Sequence, residues 1–201
     1  MRPLKLRSAN KRCTGGPGVC LQVSGYHATM VDELGDPRRR EPPFVLSERE
    51  MLEQWLEFHR TTLLIKCEGL SDADRKCRPV KTSRLSLHGL VRHMAEVERG
   101  WFHRVLESDP QAPLIWEDSA NEDRDLSPLD DADWETDLAV WKAECDASRV
   151  AAGARELDDK GLRDGEPCSL RWIYVHMIEE YARHNGHADL IREMVDGSVG
   201  W

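Results

Sequence analysis

The chain has 201 residues, of which 40% are apolar and 32% are charged, and its formal net charge is −9. This composition is typical of a soluble globular protein with one domain, and no run of about 18 apolar residues predicts a membrane span. Residues 1–29 hold five of the 28 basic residues and no acidic residue, so residues 30–201 combine 23 basic with all 37 acidic residues, a net charge of −14. This acidity argues against nucleic acid or an anionic membrane as the main partner.

Residues 1–42 are predicted to be an extension of the domain that follows at residues 43–201. Residues 1–29 are basic, rich in Gly and Ser, and lack the apolar segment of a signal peptide, so a cytoplasmic location is expected. They are either disordered or absent from the native protein, in which case Met30 is the true start; we favour the second interpretation. Residues 30–46 are expected to form an extended lead-in.

The six cysteines contain no Cys-x-x-Cys pair. They are interpreted as reduced thiols of a cytosolic protein, some of them buried as small hydrophobic side chains. A disulfide between Cys67 and Cys77 is the alternative that their spacing leaves open.

Four long helices are predicted where apolar residues recur at helical spacing. Ser47 forms a capping box with Glu50 before the first of them, and a short helical turn is expected between Ser71 and Pro79. No strand pattern is longer than four residues, so the chain is predicted to be all-α, and residues 153–167 are interpreted as a loop. The four helices are expected to span residues 48–68, 87–107, 130–152 and 170–197.

A long connection links the second and third predicted helices. Residues 108–128 contain three Pro and many acidic residues, and residues 114–116 (Leu-Ile-Trp) are expected to fold back as an apolar plug. Because loops of this length are uncommon unless they are functional or mobile, the connection is a candidate cover for the mouth of a site. Four helices with one long connection indicate a four-helix bundle.

The fourth predicted helix carries ionisable side chains within its apolar stripe. Burying a bare carboxylate is costly, so a glutamate on this stripe needs a partner. Glu180 and His184 lie one turn apart and can point at the same object, of which a metal ion is the simplest. The stripe, with alternating steps of three and four residues, consists of Leu170, Ile173, Met177, Glu180, His184, His187 and Ile191.

His93 lies beside the apolar stripe of the second predicted helix, and bundles commonly build metal sites from inward-pointing side chains. His93, Glu180 and His184 are therefore predicted to be metal ligands. Two His and one carboxylate suit catalytic zinc with an open fourth position, and nickel or iron also fits. In the structural alternative, His93 is a hydrogen-bonded core histidine and Glu180 pairs with Arg92 or Arg183.

The other histidines are assigned supporting or structural roles. His187 lies about 10 Å of helical rise from Glu180, so it is interpreted as a pocket residue or a support for a ligand, with direct ligation as the minority alternative. His176, one turn before Glu180, opens an alternative His176/Glu180 site. His59 either lines the pocket or is a hydrogen-bonded core histidine. Surface or flanking positions are expected for His88 and His103.

Two segments, LVRHMAEVERGWF at residues 90–102 and IEEYARHNGHADLIRE at residues 178–193, resemble the DinB/YfiT-like superfamily. They are most similar to its mini-circle protein branch, which is related to the N-terminal domain of mycothiol-dependent maleylpyruvate isomerase. The resemblance covers roughly residues 43–196. It implies an up-down-down-up four-helix bundle with a long crossover between helices 2 and 3.

The resemblance also implies a divalent metal held by a histidine on helix 2 and a His-x-x-x-His pair on the last helix. His93 and His184 match that pattern. Glu180 replaces the first His of the pair, as in the maleylpyruvate isomerase branch, and His187 stands where many members carry Gln.

The activity implied by the resemblance is S-transfer or isomerisation that uses a low-molecular-weight thiol, such as mycothiol or bacillithiol, and a small electrophile. The alternative is a non-enzymatic, metal-stabilised bundle that acts as a stress-associated binding module, and a vestigial bundle without metal is the third reading. A homodimer is an assembly that the sequence leaves open.

Overall fold

The computed structural model describes residues 36–116, 124–126 and 129–199. The predictions for residues 1–35, including a start at Met30, lie outside the described residues. Within the described residues, no helix has the length and apolarity needed to cross a membrane. The elements are helices α1 (Glu48–Cys67), α2 (Asp72–Lys76), α3 (Leu87–Glu98), α4 (Trp134–Gly153) and α5 (Leu170–Asp196), a π-helical segment (Arg99–Leu106) that continues α3, and strands β1 (Lys160–Arg163) and β2 (Glu166–Ser169).

The helices begin where the sequence supplies caps. The Ser47 side chain accepts a hydrogen bond from the Glu50 backbone, and the Glu50 carboxylate accepts one from the Ser47 backbone N–H at 3.1 Å. Ser86 and Ser169 cap α3 and α5 as expected. Helix α4 begins later than the predicted residue 130, because Asp133 is the residue that caps it.

The core consists of the apolar stripes that the sequence predicts. Helix α1 packs against α5, and α3 packs against α4 and α5. Each large apolar side chain removed from water contributes about 1.5–3 kcal/mol, so these stripes supply most of the force that holds the helices together. Fully buried members include Leu63 of α1, Leu87, Leu90 and Met94 of α3, and Leu170, Ile173 and Met177 of α5.

A β-hairpin occupies part of residues 153–167, where only a loop is predicted. Strands β1 and β2 pair antiparallel, with Lys160 opposite Ser169. Asp164 and Gly165 form the two-residue turn, with φ angles of 53° and 87°, and Asp-Gly is a favoured pair for such a turn. The prediction of a loop was wrong because each strand has only four residues, too few for a visible alternation. The mostly helical structure nevertheless agrees with an all-α class.

His88 is buried, so the prediction of a surface position was wrong. Its Nε2 lies 2.8 Å from Asp137 Oδ2 of α4, and its ring meets Trp134 edge-on with centroids 5.4 Å apart. The carboxylate partner lies 49 residues away in sequence, which is why the pattern around His88 could not reveal it.

Cys67 and Cys77 are both free, which excludes the disulfide between them.

Candidate metal centre

The three predicted ligands converge from two helices. His93 of α3 and the pair Glu180 and His184 of α5 offer ligand atoms that all lie within 4.8 Å of one another. The rings of His93 and His184 have centroids 4.8 Å apart, and His184 Nε2 lies 3.5 Å from Glu180 Oε2. Because zinc binds nitrogen and oxygen at about 2.0–2.2 Å, donors this close to one another are a candidate set for a single ion.

His184 is the most enclosed member of this group, with 9% of its surface exposed. Burial, together with the nearby rings of His93 and His187, lowers the pKa of His184 to about 4. The imidazole is therefore neutral at pH 7, and the neutral form is the one that binds a metal ion.

Both candidate imidazoles have a neighbour at Nδ1. His93 Nδ1 lies 2.7 Å from Asp125 Oδ2, and His184 Nδ1 lies 3.4 Å from Nδ1 of His187. An imidazole that donates its Nδ1–H keeps the lone pair of Nε2 free for a metal. The ring of His187 lies beside that of His184.

Asp125 is a residue of this site that the sequence does not reveal. It belongs to the long connection between α3 and α4, in which acidic residues are common, and it lies 32 residues from His93. Burial alone would raise the pKa of Asp125, but its interaction with His93 outweighs burial and lowers that pKa overall.

His176 is part of a second group of donor atoms. His176, Glu179 and Glu180 also lie within 4.8 Å of one another, and His176 Nε2 is 3.4 Å from Glu180 Oε1. Glu180 therefore presents one oxygen to His176 and the other to His184. The His176 ring stacks on the Trp172 ring with centroids 4.9 Å apart, and it contacts the Trp101 ring with centroids 4.3 Å apart.

The structural pairings predicted for Glu180 are realised only in part. Arg183 Nη1 lies 3.9 Å from Glu180 Oε1, at the limit of an ion pair, and Arg183 also pairs with Glu179. Arg92 instead pairs with Asp137 at 3.0 Å.

His59 belongs to neither group of donor atoms. Its backbone oxygen accepts a hydrogen bond of 3.0 Å from Asn185 Nδ2 of α5, and its ring lies 6.0 Å from that of Trp55. Burial and the positive charge of Arg39 lower the pKa of His59. Asn185, which makes the contact with His59, directly follows His184 in the sequence.

A mostly helical domain with a His/Glu/His group between two of its helices is thus a candidate metal-binding protein. Residues 51–197 match the family model described as Mycothiol-S-transferase. This match covers well over half of the chain, and the protein belongs to that family, which is part of the DinB/YfiT-like superfamily. Searches of curated proteins and of solved structures gave no match.

Proposed function

We propose that this protein catalyses the metal-dependent transfer of a mycothiol-type thiol to a small electrophile, with His93, Glu180 and His184 as the metal ligands. The observation that carries the proposal is the convergence of these donors within 4.8 Å in a member of the mycothiol-S-transferase family. Zinc is the first candidate, because two imidazoles and one carboxylate leave its fourth position open. Nickel and iron accept the same donors.

Thiol transfer requires a thiolate. A free thiol has a pKa of about 8.5, so only about 3% of it is ionised at pH 7. A bound divalent ion supplies the Lewis acidity that lowers the pKa of a coordinated thiol. In the transfer, the sulfur would form a bond to the electrophilic carbon, the leaving group would depart with its electron pair, and the thiol proton would pass to water.

The protein's own donor set favours an anionic sulfur. Glu180 contributes the single negative charge, whereas His93 and His184 contribute neutral nitrogens, so a divalent ion bound there keeps a net positive charge. This charge stabilises a thiolate relative to the thiol. The enclosure of His184 strengthens the effect, because charges interact more strongly when water is excluded.

The group formed by His176, Glu179 and Glu180 is the competing ligand set. Its third donor, Glu179, is exposed and paired with Arg183, and the His176 ring stacks on Trp172 and contacts the tilted ring of Trp101. We therefore propose that His176 orients Glu180 through its contact at 3.4 Å, and that it does not bind the ion.

Turnover of an alkylating electrophile, such as chlorodinitrobenzene, tests the activity. Zinc-loaded protein is mixed with mycothiol, bacillithiol or glutathione, and loss of free thiol is followed. We expect acceleration with mycothiol above the rate in solution, and none with His184→Ala. Zinc-bound protein that accelerates the reaction of none of these thiols would instead support a non-enzymatic binding module.

We also propose a cytoplasmic location, where low-molecular-weight thiols stay reduced.

A further inference from the structure

One face of α3 binds the long connection at its two described parts. Glu96 Oε1 accepts hydrogen bonds from the backbone N–H groups of Ile115 and Trp116, at 2.5 and 3.0 Å. One turn earlier, the Arg92 guanidinium lies 4.3 Å from the centre of the Trp116 ring. The beginning of the connection is thus held against the helix that carries His93.

Arg92 also holds the later part of the connection. Its Nε donates to the backbone oxygen of Asp125 at 3.1 Å, and its Nη2 donates to that of Arg124 at 3.0 Å. The backbone lies directly on the helix there, because a Cβ added to Gly89 would come within 3.0 Å of the Leu126 oxygen. Two parallel N–H donors on two successive carbonyls match the fork of a guanidinium, which a lysine cannot reproduce.

Arg92 is itself fixed from α4. Its Nη1 lies 3.0 Å from Asp137 Oδ2, and the same oxygen lies 2.8 Å from His88 Nε2. His88, Arg92 and Asp137 are 0%, 4% and 5% exposed. A buried, charge-paired guanidinium has little rotational freedom, so the Arg92 side chain forms a rigid link between α4 and the connection.

The link through Arg92 determines where the Asp125 carboxylate points. Asp125 Oδ1 accepts a hydrogen bond from the Leu126 backbone at 2.9 Å, and Oδ2 contacts His93 Nδ1 at 2.7 Å. We propose that Arg92 and Asp125 act as one positioning unit, in which Arg92 holds the backbone and Asp125 turns Nε2 of His93 towards Glu180 and His184. The proposal rests on His93 as a ligand of the proposed metal centre.

The physical reason is the freedom that His93 would otherwise have. About a quarter of its side chain (26%) is exposed, and α3 alone does not fix its ring. Loss of a carboxylate that orients a metal-binding histidine weakens metal binding by about 10- to 100-fold. Because Arg92 would act only through Asp125, removing both should cost no more than removing Asp125 alone.

A double-mutant cycle on zinc affinity tests this coupling. Zinc dissociation constants are measured with a competing chelating indicator for wild type, Asp125→Ala, Arg92→Lys and the double variant. We expect weakening of at least about tenfold in each single variant and no further loss in the double variant. Asp109→Ala, which removes a carboxylate of the same connection that faces His103, should bind zinc like wild type.

A second readout needs no metal. In ¹⁵N-histidine spectra of the apo protein, we expect His93 to carry its proton on Nδ1 in wild type and to become a mixture of tautomers in both single variants. If Arg92→Lys does not fold, Asp137→Asn replaces it, because it removes the charge partner of Arg92 with little change in shape.

These readouts separate the positioning role from the metal site. The positioning role is overturned if both single variants bind zinc within twofold of wild type. It is also overturned if the losses of zinc affinity in the single variants simply add in the double variant. Either result leaves the metal site intact. If the wild-type protein binds no zinc but its His93 tautomer depends on Asp125 and Arg92, the metal site is overturned and the positioning role remains. Without zinc binding, a His93 tautomer that is unchanged in the variants overturns both.

Discussion

Glu98 of α3 and Tyr181 of α5 share a hydrogen bond of 2.7 Å from the phenol oxygen to Oε1, and neither side chain is exposed to solvent. Arg60 of α1 donates to both oxygens of the same carboxylate, at 2.8 and 2.6 Å. Trp141 of α4 donates its indole N–H to the phenol at 2.9 Å. This one cluster connects the four long helices, and because Tyr181 follows Glu180, it restrains the rotation of α5 beside the candidate metal centre.

Glu98→Ala should destabilise the protein severely. The substitution leaves the Arg60 guanidinium buried without its main partner, and breaking such a pair costs about 3–5 kcal/mol. Urea unfolding followed by circular dichroism measures the loss. Glu57→Ala is the matched control, because Glu57 also contacts Arg60 but its side chain is 43% exposed, so about 1 kcal/mol or less is expected. Equal losses in the two variants would contradict the cluster's role.

Gly161→Ala should destabilise the contact between the hairpin and the π-helical segment. A Cβ at residue 161 would lie 1.9 Å from the backbone oxygen of Val105, so one of the two backbones must move, at a cost of at least about 2 kcal/mol. Gly186→Ala within α5 has open space around the new methyl group and should stabilise by about 0.5–1 kcal/mol. Thermal unfolding should therefore show shifts of opposite sign, and two shifts of the same sign would contradict this packing.

Stability should fall at alkaline pH because of Cys67. Burial raises the pKa of the Cys67 thiol from 9.0 to about 12. Above pH 9 the unfolded chain therefore loses this proton while the folded chain keeps it, and unfolding becomes easier by about 1 kcal/mol per pH unit until pH 12. Urea unfolding between pH 8 and 11, in the presence of a reductant, measures this slope.

The matched controls for this slope are two cysteine variants. Cys67→Ala should remove that part of the slope, although the cavity lowers stability at every pH. Cys77→Ala, which changes an exposed thiol, should keep the slope of wild type. The same slope in all three proteins would show that Cys67 is not protected from ionisation.

The sequence predicts the helices well, because helix starts and helix faces depend on local patterns, whereas metal binding by the candidate ligands stays a prediction. Ser47, Ser86 and Ser169 mark helix starts that the structure confirms. The steps of three and four residues in α5 are set by helix geometry alone, so Glu180 and His184 share a face whatever packs against them. The predicted ligands His93, Glu180 and His184 form one group of donor atoms in the structure.

The partners from other elements could not be read from the sequence. Nothing near His88 indicates Asp137, and nothing near His93 indicates Asp125, because each partner is placed by tertiary packing. The buried Glu98 was overlooked for the same reason, since a glutamate is usually exposed. The hairpin did carry a local signal, the Asp164-Gly165 turn, which its short strands concealed.

The metal content of purified protein after loading with zinc, nickel or iron tests the central claim most directly. We expect one ion per chain in wild type, loss of that ion in His93→Ala and His184→Ala, and its retention in His176→Ala, which removes a contact of Glu180 but none of the three proposed ligands. Retention of the ion in His184→Ala together with its loss in His176→Ala would show that the proposed ligand assignment is wrong. A wild-type protein that binds none of the three metals would contradict the metal centre itself.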